Sequence, residues 1–349
     1  MTQSTYVPDS PNRFVSQHQG AEPTTLRPFF SVVVTNWNGS AWLLRCLSSL
    51  QLSARKTGEE GEIIVVDDAS TDDSVALIKA NFPRVRVVRN TVNKGFGEST
   101  NRGARLAKGN IIILCNNDLV VKEQFLPNLL RWFKQPEQLA NGLTLHPQDV
   151  FSVSAQTLSW WDGSPNQACM AAKFLGGRIT PAYKTPEAAE QCLFTQAGAA
   201  AYNRIKFLQL RGLRGEFHPG YWEDYDISYR AAKCGWINLY DPAALALHHG
   251  GGSMTKRFGA PAVHQMKARN HLLFEWMNLA SLPLLAKHFI RLALELLREP
   301  FLNPKLPLNH AFLAALPLLP RVLRERWRNS IPVVQDEQLL QMGKDYTAS

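Results

Sequence analysis

Phe30-Ser31-Val32-Val33-Val34-Thr35, followed by the turn formers Asn36-Trp37-Asn38-Gly39 and then by Ala41 to Leu52, is the stretch on which the fold turns. A short β-branched run, a polar turn and apolar residues at helical spacing read as a buried strand, a tight turn and a helix. The pattern repeats downstream. Strands are expected at Glu62–Val66, Val85–Val88 and Ile111–Cys115, with helices at Ser74–Asn81 and Ser99–Ala107 between them. Strands alternating with helices make parallel β-α-β units, and hence an α/β, doubly wound, mostly parallel sheet flanked by helices whose ligands bind beyond the carboxyl ends of the strands.

Acidic residues stand at those ends. Val65-Val66-Asp67-Asp68 closes one expected strand and Asn116-Asn117-Asp118 another, while Tyr221-Trp222-Glu223-Asp224-Tyr225-Asp226 precedes a helix expected over Asp226–Cys234. Carboxylates are expensive to bury, so three such clusters at element ends are expected to converge on one cleft, with Asp67, Asp118 and Asp224 lining it. Asn93-Lys94-Gly95-Phe96-Gly97 resembles a dinucleotide fingerprint, but Thr100 stands where the third glycine belongs. That disfavours a nicotinamide dehydrogenase. Gly95 either allows close approach of a phosphate, with Asn93 and Lys94 as donors, or simply makes a tight turn.

The 349 residues suffice for one large α/β domain with an appendage, or for two domains. Five cysteines without a C-x-x-C pair fit a reducing compartment and argue against a disulfide framework or a thiolate zinc site. Residues 1–28 are polar, proline-punctuated and without the apolar core of a secretory signal, and read as a disordered leader. Residues 29–255 are expected to form the α/β domain, and 256–349 a C-terminal helical region expected to associate with a membrane. A net charge of +9 calls for an acidic partner. Much of that charge lies between Lys287 and Arg328, interleaved with Leu, Phe, Ile and Trp. Over Leu282 to Arg298 a polar stripe borders a broad apolar face. No run there reaches the roughly 18 apolar residues of a membrane span. The region is therefore expected either to lie on an anionic bilayer surface or to pack on the domain as amphipathic helices. No nucleic-acid motif accompanies the charge, and nucleic acid is not an expected partner.

The succession Ser31 to Gly39, Val65 to Asp72, Asn93 to Gly97 with Asn101 and Gly103, Asn116 to Asp118, and Trp222 to Asp226 resembles glycosyltransferase family 2 over roughly Phe29 to Ser253. Within that family it looks most like rhamnosyltransferase-type enzymes. The resemblance implies a GT-A fold and an inverting transfer from a nucleotide-diphosphate sugar (UDP or dTDP) to a hydroxyl of a glycan or lipid-linked glycan. It implies a role in bacterial surface polysaccharide synthesis, peripheral at the cytoplasmic face of the membrane. By resemblance Asp67 contacts the base, with Thr35 and Asn36 lining that pocket; the turn Asp68 to Asp72 is equally a helix-capping device.

Asn116 to Asp118 occupies the place of the family's Asp-x-Asp, which binds a divalent cation and ribose in similar enzymes. Asp118 is the hard oxygen ligand for Mg²⁺ or Mn²⁺. Asn116 stands where an aspartate is often found. His248 resembles a family metal ligand, although a histidine beside glycines is often structural. An alcohol needs a base to become a nucleophile. The resemblance makes Asp224 that base and Glu223 an orienting or acceptor-binding group; Asp226 is expected to pair with Arg230. Trp222 is expected at the acceptor and Gly198, in Gln196-Ala197-Gly198, at the donor sugar. Arg269-Asn270 either reaches the diphosphate or opens a surface helix. A rival reading is a catalytically silent binding protein on the same scaffold.

Overall fold

The computed structural model describes residues 28–167, 169–250, 253–302, 308–328 and 332–348. Most of the expected leader lies outside the described residues. Strands β1 (Phe30–Asn36), β2 (Gly61–Asp67), β3 (Arg86–Arg89) and β4 (Ile111–Asn116) alternate with helices α1 (Ser40–Arg55), α2 (Ser74–Asn81) and α3 (Gly95–Leu106). The four strands pair in parallel in the order β3-β2-β1-β4, with Thr35 beside Val66 and Asn116. Their carboxyl ends are therefore level.

Beyond β4 the sheet changes character. Ala199–Asn203 joins β4 antiparallel, Val150–Ser159 follows, and Ile237–His248 pairs parallel to it. The short β5 (Leu119–Val121) runs antiparallel to the end of that last strand, bringing Leu119 beside His248. The sheet is mixed, and the reversal at Ala199–Asn203 turns two further strand ends toward the β1–β4 edge.

Apolar side chains of β1, β2 and β4 alternate between two buried layers. Val32 and Val34 face α1, whereas Val33, Ile64 and Val66 face α3 and the helix Glu223–Lys233. Gly103 lets α3 settle onto β1, since a Cβ there would stand 2.2 Å from Val33. A third buried cluster joins the hairpin Cys169–Leu175/Arg178–Lys184 to the helices Ala260–Asn278 and Leu282–Leu302. Leu284, Leu292, Ala311 and Val322 belong to it, so the C-terminal helices pack on the domain through one face.

Three boundaries differ from the sequence reading. Helix α3 begins at Gly95, four residues early, because the Asp68 carboxylate receives the backbone N–H of Lys94 and Gly95 at 2.8 Å each. The Glu223 helix begins at Glu223, not Asp226, after Tyr221 and Trp222 in left-handed conformations. Arg269 and Asn270 lie within the helix Ala260–Asn278, not at its start. Asn270 is buried there and donates to the carbonyls of Phe217, Gly220 and Tyr221, fastening the loop ahead of the Glu223 helix.

Candidate functional site

A cavity of about 420 Å³ lies at the carboxyl ends of β1 and β4, lined among others by Thr35, Asn36, Asp68, Asn93, Gly95, Asn116, Asp118, Gly198, Glu223, Asp224 and His248. The chain ends of one half-sheet, the Gln196–Ala199 turn and the first turn of the Glu223 helix thus meet around one space. Asp118 and Asp224, distant in sequence, share it.

Asp67 does not. Its carboxylate is fully buried, accepting Asn36 Nδ2 at 3.0 Å and the Ser70 N–H at 3.3 Å and pairing with Arg89 at 3.2 Å. This corrects the expectation that Asp67 lines the pocket: a parallel strand alternates its faces, so the carboxylate that meets the cavity is that of Asp68. Asn36, whose Oδ1 accepts Asn117 Nδ2 at 2.8 Å, ties the ends of β1, β2 and β4 together from the cavity floor.

Lys94 is not among the lining residues either; its backbone serves Asp68 and receives His218 Nδ1. Gly95 has φ +80°, and a Cβ on it would come within 2.8 Å of His218 Nδ1, so glycine is required there by the fold. At Gly198 a Cβ would stand 2.6 Å from Asn116 Nδ2, so the missing side chain gives Asn116 its place.

Trp222 also departs from expectation. Its indole stacks on His271 at 4.1 Å and 10° and packs against Tyr225 and Phe274, so its faces are engaged inside the protein, and Tyr221 lines the cavity in its stead. Asp226 is held by Arg214 at 2.6 Å, Arg230 at 2.8 Å and Asn278 Nδ2 at 2.8 Å. Burial alone would raise that carboxyl, but the two guanidinium groups outweigh it and hold it below the usual range. It anchors the helix.

The two carboxylates ahead of it behave differently. Glu223 is pushed up to about 8, first by burial and then by the charge of Asp224. Asp224, half-buried and open to the cavity, is pushed up to about 6, again chiefly by burial, against opposing hydrogen bonds from the N–H groups of Tyr225 and Ala197. Glu223 Oε2, Thr157 Oγ1 and both side-chain polar atoms of Gln196 are buried without a hydrogen-bond partner among the described residues, and all three residues line the cavity. Buried polar atoms are rarely left unpaired, so this wall is suited to a hydroxyl-rich guest.

Also lining the cavity, His248 Nε2 lies 3.2 Å from Asp118 Oδ1. Both side chains are partly open, and no group of three His, Cys, Asp or Glu able to cage a metal exists among the described residues. Of the rest of the His248–Ser253 motif, Gly251 and Gly252 lie outside the described residues.

Thr157 and Arg257 are lining residues that escaped the sequence reading. Arg257, in the short helix Ser253–Phe258, donates to Asn93 Oδ1 at 3.1 Å, and its guanidinium lies 4.6 Å from the centre of the Trp37 ring. Against Asp68, Asp118, Glu223 and Asp224 it is the one lysine or arginine lining the cavity among the described residues. No motif marks it in the sequence; only folding back over Trp37 brings it there.

Residues 31–184 match the family model described as glycosyl transferase family 2. The chain is 30% identical over 132 residues to a chondroitin synthase of Escherichia coli, covering 36% of this chain and 19% of that one. It is 26% identical over 238 residues to an N-acetylglucosaminyl-diphospho-decaprenol L-rhamnosyltransferase of Mycobacterium tuberculosis, covering 62% and 75%. The chain spans 19% to 38% of the length of several curated relatives it matches. Among solved structures, GalNAc-T7 with UDP, GalNAc and Mn²⁺ superposes with a TM-score of 0.52 at 17% identity, covering 72% of this chain and 48% of that one. S. aureus TarS 1–349 in complex with UDP-GlcNAc gives 0.51 at 15% identity, covering 86% and 88%. These likenesses establish the GT-A fold.

Proposed function

The chain carries a glycosyltransferase family 2 domain over residues 31–184, and from that premise we propose that it is an inverting glycosyltransferase moving a sugar from a nucleoside diphosphate to a glycan or lipid-linked glycan hydroxyl, in bacterial surface polysaccharide synthesis. One observation carries this reading above the others. Asp224, a half-buried carboxylate lifted to about 6, faces the same cavity as the unpaired polar wall of Gln196, Thr157 and Glu223. A base must be ionised at working pH yet willing to take a proton, and a carboxylate near 6 is better matched to an alcohol than one near 4.

In this reading Asp224 removes the proton of the acceptor hydroxyl as the hydroxyl oxygen attacks the anomeric carbon from the face opposite the departing diphosphate. Glu223, largely protonated at neutral pH, donates rather than repels, and its free Oε2 and Gln196 hold sugar hydroxyls. Asp68 and Asn36 shape the base and ribose end of the cavity. Asp118 and His248 fit a hard divalent cation such as Mg²⁺ or Mn²⁺ in donor chemistry and would hold it between them. When bound, such an ion neutralises charge developing on the leaving diphosphate. Arg257 does the same from this chain, its guanidinium donating to the phosphate oxygens once Asn93 releases it.

The test is isothermal titration with UDP and dTDP in Mn²⁺, then donor turnover by wild type and Asp224→Asn. Binding with turnover cut by about 10²-fold or more supports the base assignment. Binding without turnover in the wild type would instead favour a silent binding protein, and an undiminished Asp224→Asn would remove the base.

We further propose that the C-terminal helices place the enzyme on the cytoplasmic face of an anionic membrane. No helix among the described residues is long and apolar enough to cross one. Their outward faces expose Phe289, Ile290, Leu297, Leu323 and Trp327, with Arg298, Arg321, Arg324 and Arg328 alongside. Such a face suits the interface of an anionic bilayer.

A further inference from the structure

Beside the cavity lies an aromatic cluster that neither the family likeness nor the mechanism uses. Trp161 sits at the turn between the strand Val150–Ser159 and Pro165–Gln167, with 72% of its surface exposed. Single exposed aromatic side chains are ordinary, but this one is fixed. Its Nε1 donates to the His249 carbonyl at 3.2 Å, and its ring lies 4.9 Å from the His249 imidazole, which stacks on Trp42 at 3.6 Å and 29°. Trp160 meets Trp42 edge-on at 5.6 Å, and the exposed Arg45 guanidinium lies 5.0 Å from the Trp42 ring centre. An indole whose only N–H is already engaged presents a flat face with nothing left to donate.

The cluster is tied to the cavity mouth. The His249 N–H donates to the Asp118 carbonyl at 3.1 Å and the Trp160 N–H to the His248 carbonyl at 2.9 Å, so backbone hydrogen bonds tie the cluster to the two residues whose side chains meet at the cavity. Trp42, Trp160, Trp161 and His249 are themselves outside the cavity lining. A ligand that reaches them enters from solvent and is not enclosed with the donor.

We propose that Trp161, backed by His249 and Trp42, is a stacking platform for a pyranose ring of a carbohydrate acceptor. The inference rests on the transferase reading. A pyranose offers one face of C–H groups and a rim of hydroxyls; the indole takes the face and leaves the rim to solvent. The platform also replaces Trp222, whose faces are covered, as the aromatic contact for the acceptor.

The experiment uses the full chain on an array of bacterial surface oligosaccharides, without donor, for wild type, Trp161→Ala and Trp161→Phe. The wild type is expected to bind at least one oligosaccharide, Trp161→Ala to lose that signal tenfold or more, and Trp161→Phe to keep most of it because a flat face remains. Equal binding by Trp161→Ala, or no glycan bound by the wild type, overturns the platform. Titration of the same proteins with UDP and dTDP in Mn²⁺ separates the two readings. Failure to bind either nucleotide speaks against the transferase, whereas nucleotide binding with unchanged glycan signals speaks against the platform alone.

Discussion

Replacing Glu223 by glutamine should stabilise the protein, and by an amount that grows with pH. The carboxyl is raised from 4.5 to about 8 in the folded chain, so at pH 7 folding takes up a proton that the unfolded chain has already released. A raised carboxyl contributes stability that is fully present below 4.5 and is lost as pH rises toward about 8. At about 1.4 kcal/mol per pH unit, the penalty amounts to about 1 kcal/mol at pH 5 and on the order of 3 kcal/mol at pH 7. Glutamine keeps the shape and carries no such term, and the Oε2 it replaces has no hydrogen bond to lose. Urea unfolding of both proteins from pH 4.5 to 8 reads the difference. The stability of Glu223→Gln relative to wild type should widen steadily across that range. Two parallel curves would falsify the account of Glu223 as a buried, neutral acid.

Donor turnover, measured as nucleoside diphosphate released, should fall on the acid side with a midpoint near the value of about 6 held by Asp224, because only its ionised form accepts a proton; a flat profile down to pH 5 would assign the base elsewhere. Arg257→Gln should weaken UDP binding about tenfold in titration calorimetry, with Arg257→Lys recovering part of it, since one charge-assisted contact to phosphate is lost. Asp226→Asn should destabilise the fold by roughly 3–5 kcal/mol in urea unfolding, because Arg214 and Arg230 lose their buried counter-charge. In flotation with anionic vesicles, the pair Leu323→Ser and Trp327→Ser should lower recovery in the lipid fraction. Unchanged recovery would clear that face of membrane contact. Surface substitutions are the right perturbation here, because deleting the tail would also strip Leu284, Leu292 and Val322 from the core.

The half-sheet was legible in residue order alone. β-branched runs between turn formers and amphipathic helices leave few arrangements other than parallel β-α-β units, and the strands from Phe30 to Asn116 follow the expected pattern within a residue or two. The sequence also marked part of the cavity lining, since Asn36, Asn93, Asp118, Glu223 and Asp224 are polar residues standing at element ends. What it could not supply is direction. Whether Asp67 or Asp68 faces the cavity depends on the phase of β2 against its neighbours, and whether Trp222 is free depends on a helix that arrives fifty residues later carrying His271 and Phe274. Arg257 and the Trp42–His249–Trp161 stack are juxtapositions of residues remote in the chain, invisible to spacing. Tertiary packing alone decided them, because it fixes which faces of a side chain are already spent and which remain open to a ligand.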